Sequence, residues 1–225
     1  MKIKKLLLAI TLITAAPITW SQGALRAGPD QRAGEWNFSL EPVYIGSEGI
    51  SGKNGSSLDI KDEWGLGFNI GYNYTNNWAL SFEVNFLKPR YDAIIVPEEA
   101  GLGPQKFSHK MDMINGLLKG TYNFVDGPVT PFIDLSVGFS YLDSNVADRP
   151  PTTGCWWDPW WGYVCQSFSS TYSDTRFNYG GGIGLRWDLS PGMFLRASYS
   201  LMKIDLGKSD NPTFDVGRLD IGWRY

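Results

Sequence analysis

The stretch Trp64-Gly-Leu-Gly-Phe-Asn-Ile-Gly-Tyr-Asn-Tyr74, then Thr75-Asn-Asn77, then Trp78-Ala-Leu-Ser-Phe-Glu-Val-Asn-Phe86, decides the fold. Every even position from Trp64 to Tyr74 is apolar or aromatic, and the odd ones are Gly65, Gly67, Asn69, Gly71 and Asn73. The same alternation resumes after the turn, with Trp78, Leu80, Phe82, Val84 and Phe86 against Ala79, Ser81, Glu83 and Asn85. A strict period of two is the mark of a strand with one greasy face, so this is a β-hairpin with a short turn.

Working outward, six more segments behave alike: Trp36 to Ile45, about Met111 to Phe124, Val129 to Leu142, Arg176 to Trp187, Met193 to Ile204 and Thr213 to Tyr225. Their alternation is poorest at the start of the fourth strand and along the seventh. The connections alternate in length: short turns at Thr75 to Asn77, Val125 to Pro128 and Leu189 to Gly192, longer links between. The expected architecture is all-β, an eight-stranded antiparallel up-and-down barrel with turns at one rim and loops at the other.

Alternation alone does not say which face is outside, because a transmembrane barrel is greasy outside and a secreted barrel greasy inside. The polar face is small or charged: glycines at 65, 67, 71, 180, 182 and 184, and elsewhere Glu41, Glu83, Asp134 and Asp220 with Lys119, Arg186, Arg196, Arg218 and Arg224. Glycine columns on a soluble exterior would weaken strands with no return, whereas in a narrow lumen they leave room for long arginines. Aromatics gather at the ends of the greasy face, with Trp36, Tyr74, Trp78, Phe124, Trp187 and Tyr225 at one end and Tyr44, Trp64, Phe86, Tyr141 and Phe177 at the other. Two such belts, separated by strands of about ten residues, match a tilted crossing of a bilayer.

The chain ends make the same point. Residues 1–21 carry Lys2, Lys4 and Lys5 followed by an apolar run, and read as a secretory signal peptide. Residues 22–34 are expected to be a short periplasmic lead, and 35–225 the barrel. Export removes three of the 20 basic residues against 23 acidic ones, leaving a net charge of −6. No cluster of Lys and Arg suits nucleic acid.

At the other end, Leu219, Ile221, Trp223 and the terminal Tyr225 share one face, and here the sequence resembles the C-terminal assembly signal of bacterial outer-membrane proteins. With "VTPFIDLSVGFSY" (129 to 141) and "FNYGGGIGLRWDLSPG" (177 to 192), the mature chain resembles the small eight-stranded barrels of the OmpA-like and OmpX-like group. The stretch 199–206, "YSLMKIDL", is also similar to the seventh strand of OmpW-like proteins, whose role is linked to a channel for small apolar compounds; a charged lumen departs from that pattern. The resemblance implies an outer-membrane location, loops outside the cell, lipid and lipopolysaccharide around the barrel, and the barrel-assembly machinery as a partner during insertion. The expected state is a monomer without cofactor or metal.

Three roles are open to such a barrel. The first is structural and surface-directed. Its candidate contact is "CWWDPWWGYVC", where Cys155 and Cys165, the only cysteines, are expected to pair in an exported chain. A disulfide closing so short a loop contributes about 2 to 3 kcal/mol by chain entropy. It would hold Trp156, Trp157, Trp160, Trp161 and Tyr163, either over the barrel mouth or against lipopolysaccharide, or as a patch for a host surface, another envelope protein or a glycan. The second role is a narrow channel gated by the lumen charges, which an eight-stranded barrel is just wide enough to hold as interlocked pairs. The third is an enzyme acting on lipid A, but the only histidine, His109, neighbours Ser108 along a strand, and such neighbours point to opposite faces. The expectation is therefore no enzymatic activity.

Overall fold

The computed structural model describes residues 32–52, 55–96, 103–190, 192–207 and 211–225; the expected signal peptide (1–21) and most of the expected lead (22–34) lie outside the described residues. Among the described residues fourteen strands run in chain order: β1 (Trp36–Ile45), β2 (Glu48–Ser51), β3 (Ser57–Ile60), β4 (Glu63–Asn73), β5 (Trp78–Leu87), β6 (Arg90–Ile95) and β7 (Gln105–Lys110). They continue as β8 (Asp112–Asn123), β9 (Val129–Ala147), β10 (Thr152–Asp158), β11 (Gly162–Phe168), β12 (Thr171–Ser190), β13 (Met193–Ile204) and β14 (Thr213–Arg224). Eight of them, β1-β4-β5-β8-β9-β12-β13-β14, close into a barrel in which every neighbour is antiparallel. The other six lie in the long connections: β2, β3, β6 and β7 form a four-stranded sheet and β10 pairs with β11. Alternation across the short strands of the loops is too brief to announce that sheet, and it is the main element that the long links conceal.

Closure occurs where β1 meets β14: Trp36 donates its N–H to the Tyr225 carbonyl and Tyr225 returns the bond to Trp36, each at 2.9 Å. Closing the sheet leaves no open barrel edge, so each backbone polar group of the ladder has a neighbour. The outside is apolar along its length. Phe68, Phe82, Ile133, Leu135, Ile183, Leu185 and Leu219 are all exposed, and burying them in lipid rather than water is what makes the arrangement stable. The two aromatic belts are in place. Trp36 packs on Tyr72 and Trp78 on Tyr122 at the turn rim, with centroids 5.2 and 4.9 Å apart. Tyr44 packs on Trp64 and Phe139 on Phe177 at the loop rim, at 5.2 and 5.8 Å.

Inside, the contents change along the axis. The middle and the turn end are mostly polar and charged, with Leu117, Phe132 and Phe194 as inward apolar side chains. The loop end is an apolar core in which Val43, Ile45, Leu87, Met113, Met202 and Phe214 pack with Ile60, Tyr91 and Ala93 of the loop sheet. That core departs from the expected small or charged inner face, and it explains the weak alternation in the fourth and seventh barrel strands, β8 and β13. Met113 of β8 and Met202 and Ile204 of β13 face inward in this core although they are apolar, and Phe194 does so at the turn end of β13.

Candidate functional site

Two features beyond the shared barrel carry chemistry: the buried charge network and the tryptophan hairpin.

The network follows from parity. All nine charged residues singled out in the sequence, Glu41, Glu83, Lys119, Asp134, Arg186, Arg196, Arg218, Asp220 and Arg224, are buried in the lumen. Glu83 is its hub: Oε2 accepts from Lys119 Nζ at 2.6 Å, and Oε1 accepts from Arg218 Nε at 2.8 Å and Asn85 Nδ2 at 2.5 Å. Lys119 stands on the neighbouring strand, but Arg218 reaches Glu83 from β14, past β1 and β4, so this pair crosses the lumen. Arg196 meets Asp220 on the adjacent strand at 3.0 Å, and Lys119 also lies 3.9 Å from Asp134. Glu41 accepts a bond from the Ser39 hydroxyl at 3.3 Å. Charge-assisted bonds of this kind hold because a buried ion left alone costs several kcal/mol.

One glycine of the columns, Gly184, and Gly222 outside them have a further purpose. A Cβ on Gly184 would sit 2.4 Å from Cζ of Phe132, and one on Gly222 would sit 2.2 Å from Cζ of Phe194. These glycines make room for two inward phenyl rings, and the arginines then lie on the rings. Arg196 stacks over Phe132 at 4.8 Å and Arg186 over Phe194 at 4.2 Å, which adds cation–π attraction in a desolvated site.

The network also contains members that the sequence reading passed over. Asp188 accepts from Arg186 Nε at 3.0 Å and lies 3.9 Å from Arg224. It shares parity with Arg186 on β12, and that signal was sufficient to find it. Arg32 and Glu35 carry no such signal, because both precede the first strand. Arg32 is fully buried at the turn rim, where it donates to Asp188 and to the carbonyl of Gly127, at 2.6 Å in the latter case. Arg224 pairs with Glu35 at 3.4 Å.

At the opposite end, Cys155 and Cys165 face each other across β10 and β11 with Cα atoms 4.0 Å apart and are joined in a disulfide. Trp157 stands directly opposite Tyr163, on the same face as the disulfide, and Trp156 opposite Val164 on the other. The turn is built by Asp158, whose Oδ1 accepts from the backbone N–H of Trp160 at 2.8 Å and Trp161 at 3.0 Å, and by Gly162 at φ 77°. An aspartate capping its own turn and a glycine in the left-handed region are what a tight reversal needs. The tryptophans are left in the open: Trp157 is 73%, Trp160 89% and Trp161 82% exposed, Tyr163 is 71% and Trp156 is 41%. The hairpin is carried on a ribbon formed by the outer parts of β9 and β12, which stay paired from Trp187 opposite Val129 to Thr171 opposite Ala147. Counted on β12, which carries no extra residues there, Thr171 opposite Ala147 stands four residues, about 13 Å, beyond Thr175 opposite the belt residue Tyr141.

Ser108 and His109 are placed on opposite sides of β7. Ser108 stands across from Asp92, while His109 stands across from Tyr91, with ring centroids 6.5 Å apart. At the C-terminus, Leu219, Ile221, Trp223 and Tyr225 all face outward. Among the described residues no group of His, Cys, Asp and Glu could hold a metal ion.

A closed eight-strand antiparallel barrel, apolar toward the outside and ionic within, defines an outer-membrane β-barrel protein. The chain belongs to the family of the outer membrane protein beta-barrel domain, whose model matches residues 6–224. Among solved structures, the outer membrane protein OprG of Pseudomonas aeruginosa is 13% identical, covering 86% of this chain and 96% of its own, at a TM-score of 0.55. Ail, the attachment invasion locus protein of Yersinia pestis, crystallised with the heparin analogue sucrose octasulfate, is 18% identical over 86% of this chain and 99% of its own, at a TM-score of 0.46. Neisserial surface protein A is 16% identical over 83% and 95%, at a TM-score of 0.47. At these identities the likeness is one of fold. No curated protein sequence matches the chain.

Proposed function

We propose that the protein is a non-enzymatic outer-membrane barrel with a structural and surface-interaction role, and that the disulfide-closed tryptophan hairpin is its contact. The loop rim faces the outside of the cell, the N-terminus faces the periplasm, and the barrel is a monomer in lipid and lipopolysaccharide. Its terminal strand, with Leu219, Ile221, Trp223 and Tyr225, is what the assembly machinery reads during insertion.

One observation carries this reading: Trp157, Trp160, Trp161 and Tyr163 are exposed together on a cross-linked hairpin raised beyond the aromatic belt. Exposed tryptophans held by a disulfide have already lost much of the conformational freedom that binding would otherwise remove, and Trp and Tyr dominate protein contact energetics. The lumen supports a structural rather than a transport role. Its centre is interlocked ion pairs, its loop end is filled by the apolar core, and Arg32 lies across its turn end.

The test replaces Trp157, Trp160 and Trp161 together by serine. Heat-modifiable gel migration, which reports barrel folding, should be unchanged, while binding of whole cells to host cells and glycan surfaces should be lost. Full retention of binding overturns the assignment of the contact to the hairpin. Protease cleavage of the hairpin on intact cells tests the orientation separately, and complete resistance before lysis with cleavage after it would place the hairpin on the wrong side.

A further inference from the structure

At the base of the loop sheet, where its edge strand β7 meets the β9 ribbon, Arg90, Ser108, His109, Lys110 and Asn145 line an open recess of about 420 Å³. The strand register sets Arg90 directly opposite Lys110. Like charges facing each other across an antiparallel pair repel. Neither cation has an ion-pair partner among the described residues, because the neighbouring carboxylates are engaged elsewhere. Asp112 holds Lys88 at 2.9 Å and accepts from Asn145 at 3.1 Å; Asp92 holds Lys61 at 3.1 Å and accepts from Ser108; Asp143 accepts from Thr171 at 2.8 Å. Two cations facing each other beside a recess, without a counter-charge, suit an anion.

The recess is held in shape by an unusual residue. Asn145 adopts a left-handed φ of 55°, where β9 carries extra residues against β12, and its side-chain amide donates to the Lys110 carbonyl at 3.0 Å. That bond ties the ribbon to the edge of the sheet. Asparagine enters this region at less cost than most residues, and here the conformation brings its side chain to the mouth of the recess.

Position indicates the source of the anion. Along the outward face of one strand path, Phe86 of the aromatic belt is followed by Lys88 and then Arg90; along the next, Ile114 is followed by Asp112 and then Lys110. Arg90 is thus about 13 Å along the chain from the belt. Aromatic belts mark the level at which hydrocarbon gives way to headgroups, so the paired cations lie in the headgroup layer beside lipid.

We propose that this recess binds a phosphate group of a glycolipid in the leaflet at the loop rim. The Arg90 guanidinium offers a planar fork of donors to phosphate oxygens, and Lys110 a point charge. The proposal deepens the proposed function, and rests on the loop rim facing the leaflet that carries such a lipid.

The experiment uses the full chain folded in detergent. It is titrated with lipid A bearing its phosphates, with the same lipid A stripped of them, and with glucose 1-phosphate. The expected result is that phosphorylated lipid A binds, that Arg90→Gln with Lys110→Gln weakens it at least tenfold, that Arg90→Lys retains most of it, and that Lys106→Gln has no effect. Heat-modifiable migration confirms that each variant is folded. Equal affinity of the double variant and the parent overturns the site, as does equal affinity for the stripped lipid. Tight binding of glucose 1-phosphate with the same variant dependence reassigns the recess to a soluble phosphate and overturns the lipid. These titrations do not depend on which rim faces outward, so the orientation can fail in the intact-cell protease test without affecting them.

Discussion

Arg32 Nη2 and Asp188 Oδ2 lie 2.9 Å apart at the turn rim, both side chains buried, although the two residues are separated by 156 positions in the chain. The segment just before the first strand is therefore fastened to the twelfth, and Asp188 is shared among Arg32, Arg186 and Arg224. Replacing it leaves three buried guanidiniums short of a counter-charge. Asp188→Asn is expected to destabilise the barrel by about 3 to 5 kcal/mol, read as a lower urea midpoint in detergent, and Arg32→Ala by less because its neighbours remain paired. An unchanged midpoint for Asp188→Asn would show that the cluster contributes nothing.

Glu83 and Lys119 should be coupled. Removing either alone strands a buried charge, while removing both strands only what Arg218 and Asp134 lose. A double-mutant cycle with Glu83→Gln and Lys119→Met is expected to give an interaction energy of about 1 to 3 kcal/mol. The same cycle on Glu83 and the distant Lys88 should give a value near zero.

Gly222→Ala forces a methyl group into the ring of Phe194, and should cost about 1 to 3 kcal/mol through overpacking. Phe194→Leu, which shortens the obstructing side chain, should recover part of that loss in the double variant. If Gly222→Ala is instead silent, the phenyl ring is not what requires the glycine.

The outer surface can be tested by depth. Leu135 is 73% exposed midway between Val129 at the turn rim and the belt residue Tyr141, and Leu135→Arg should cost about 2 to 4 kcal/mol when the barrel is folded into bilayers. Trp160 is more exposed still, but sits on the hairpin outside the bilayer. Trp160→Ser should leave bilayer folding unchanged.

The loop sheet should loosen in acid. The Ser108 hydroxyl and the Lys61 ammonium hold the Asp92 carboxyl below its usual value. A carboxylate whose folded pKa is depressed stabilises above its unfolded value of about 3.9, and that contribution is lost as pH falls through the folded value. Amide exchange in β6 and β7, normalised to intrinsic rates, should therefore speed up below about pH 4. In Asp92→Asn this acid dependence should be weaker.

The architecture was legible in the alternation of strands such as 64–74 and 78–86, because a barrel side chain has only two directions and period two reports which one it takes. Hence the eight barrel strands, the two aromatic belts and the buried position of Glu83 and its partners could all be read along the chain. Asp188 was legible by the same rule and overlooked. The tryptophans of the hairpin were visible as composition between two cysteines, while their exposure was not, since it depends on how far β9 and β12 carry them.

What the sequence determined by itself is local and periodic: strand, turn and face, each set by near neighbours. Tertiary structure alone decided that Arg218 crosses the lumen to Glu83, that Gly184 and Gly222 yield to Phe132 and Phe194, and that Arg32 returns to close the turn rim. It also decided that four short loop strands would assemble over an apolar mouth. Such contacts join residues far apart in the chain, and their geometry comes only from the circumference and register imposed when β1 meets β14.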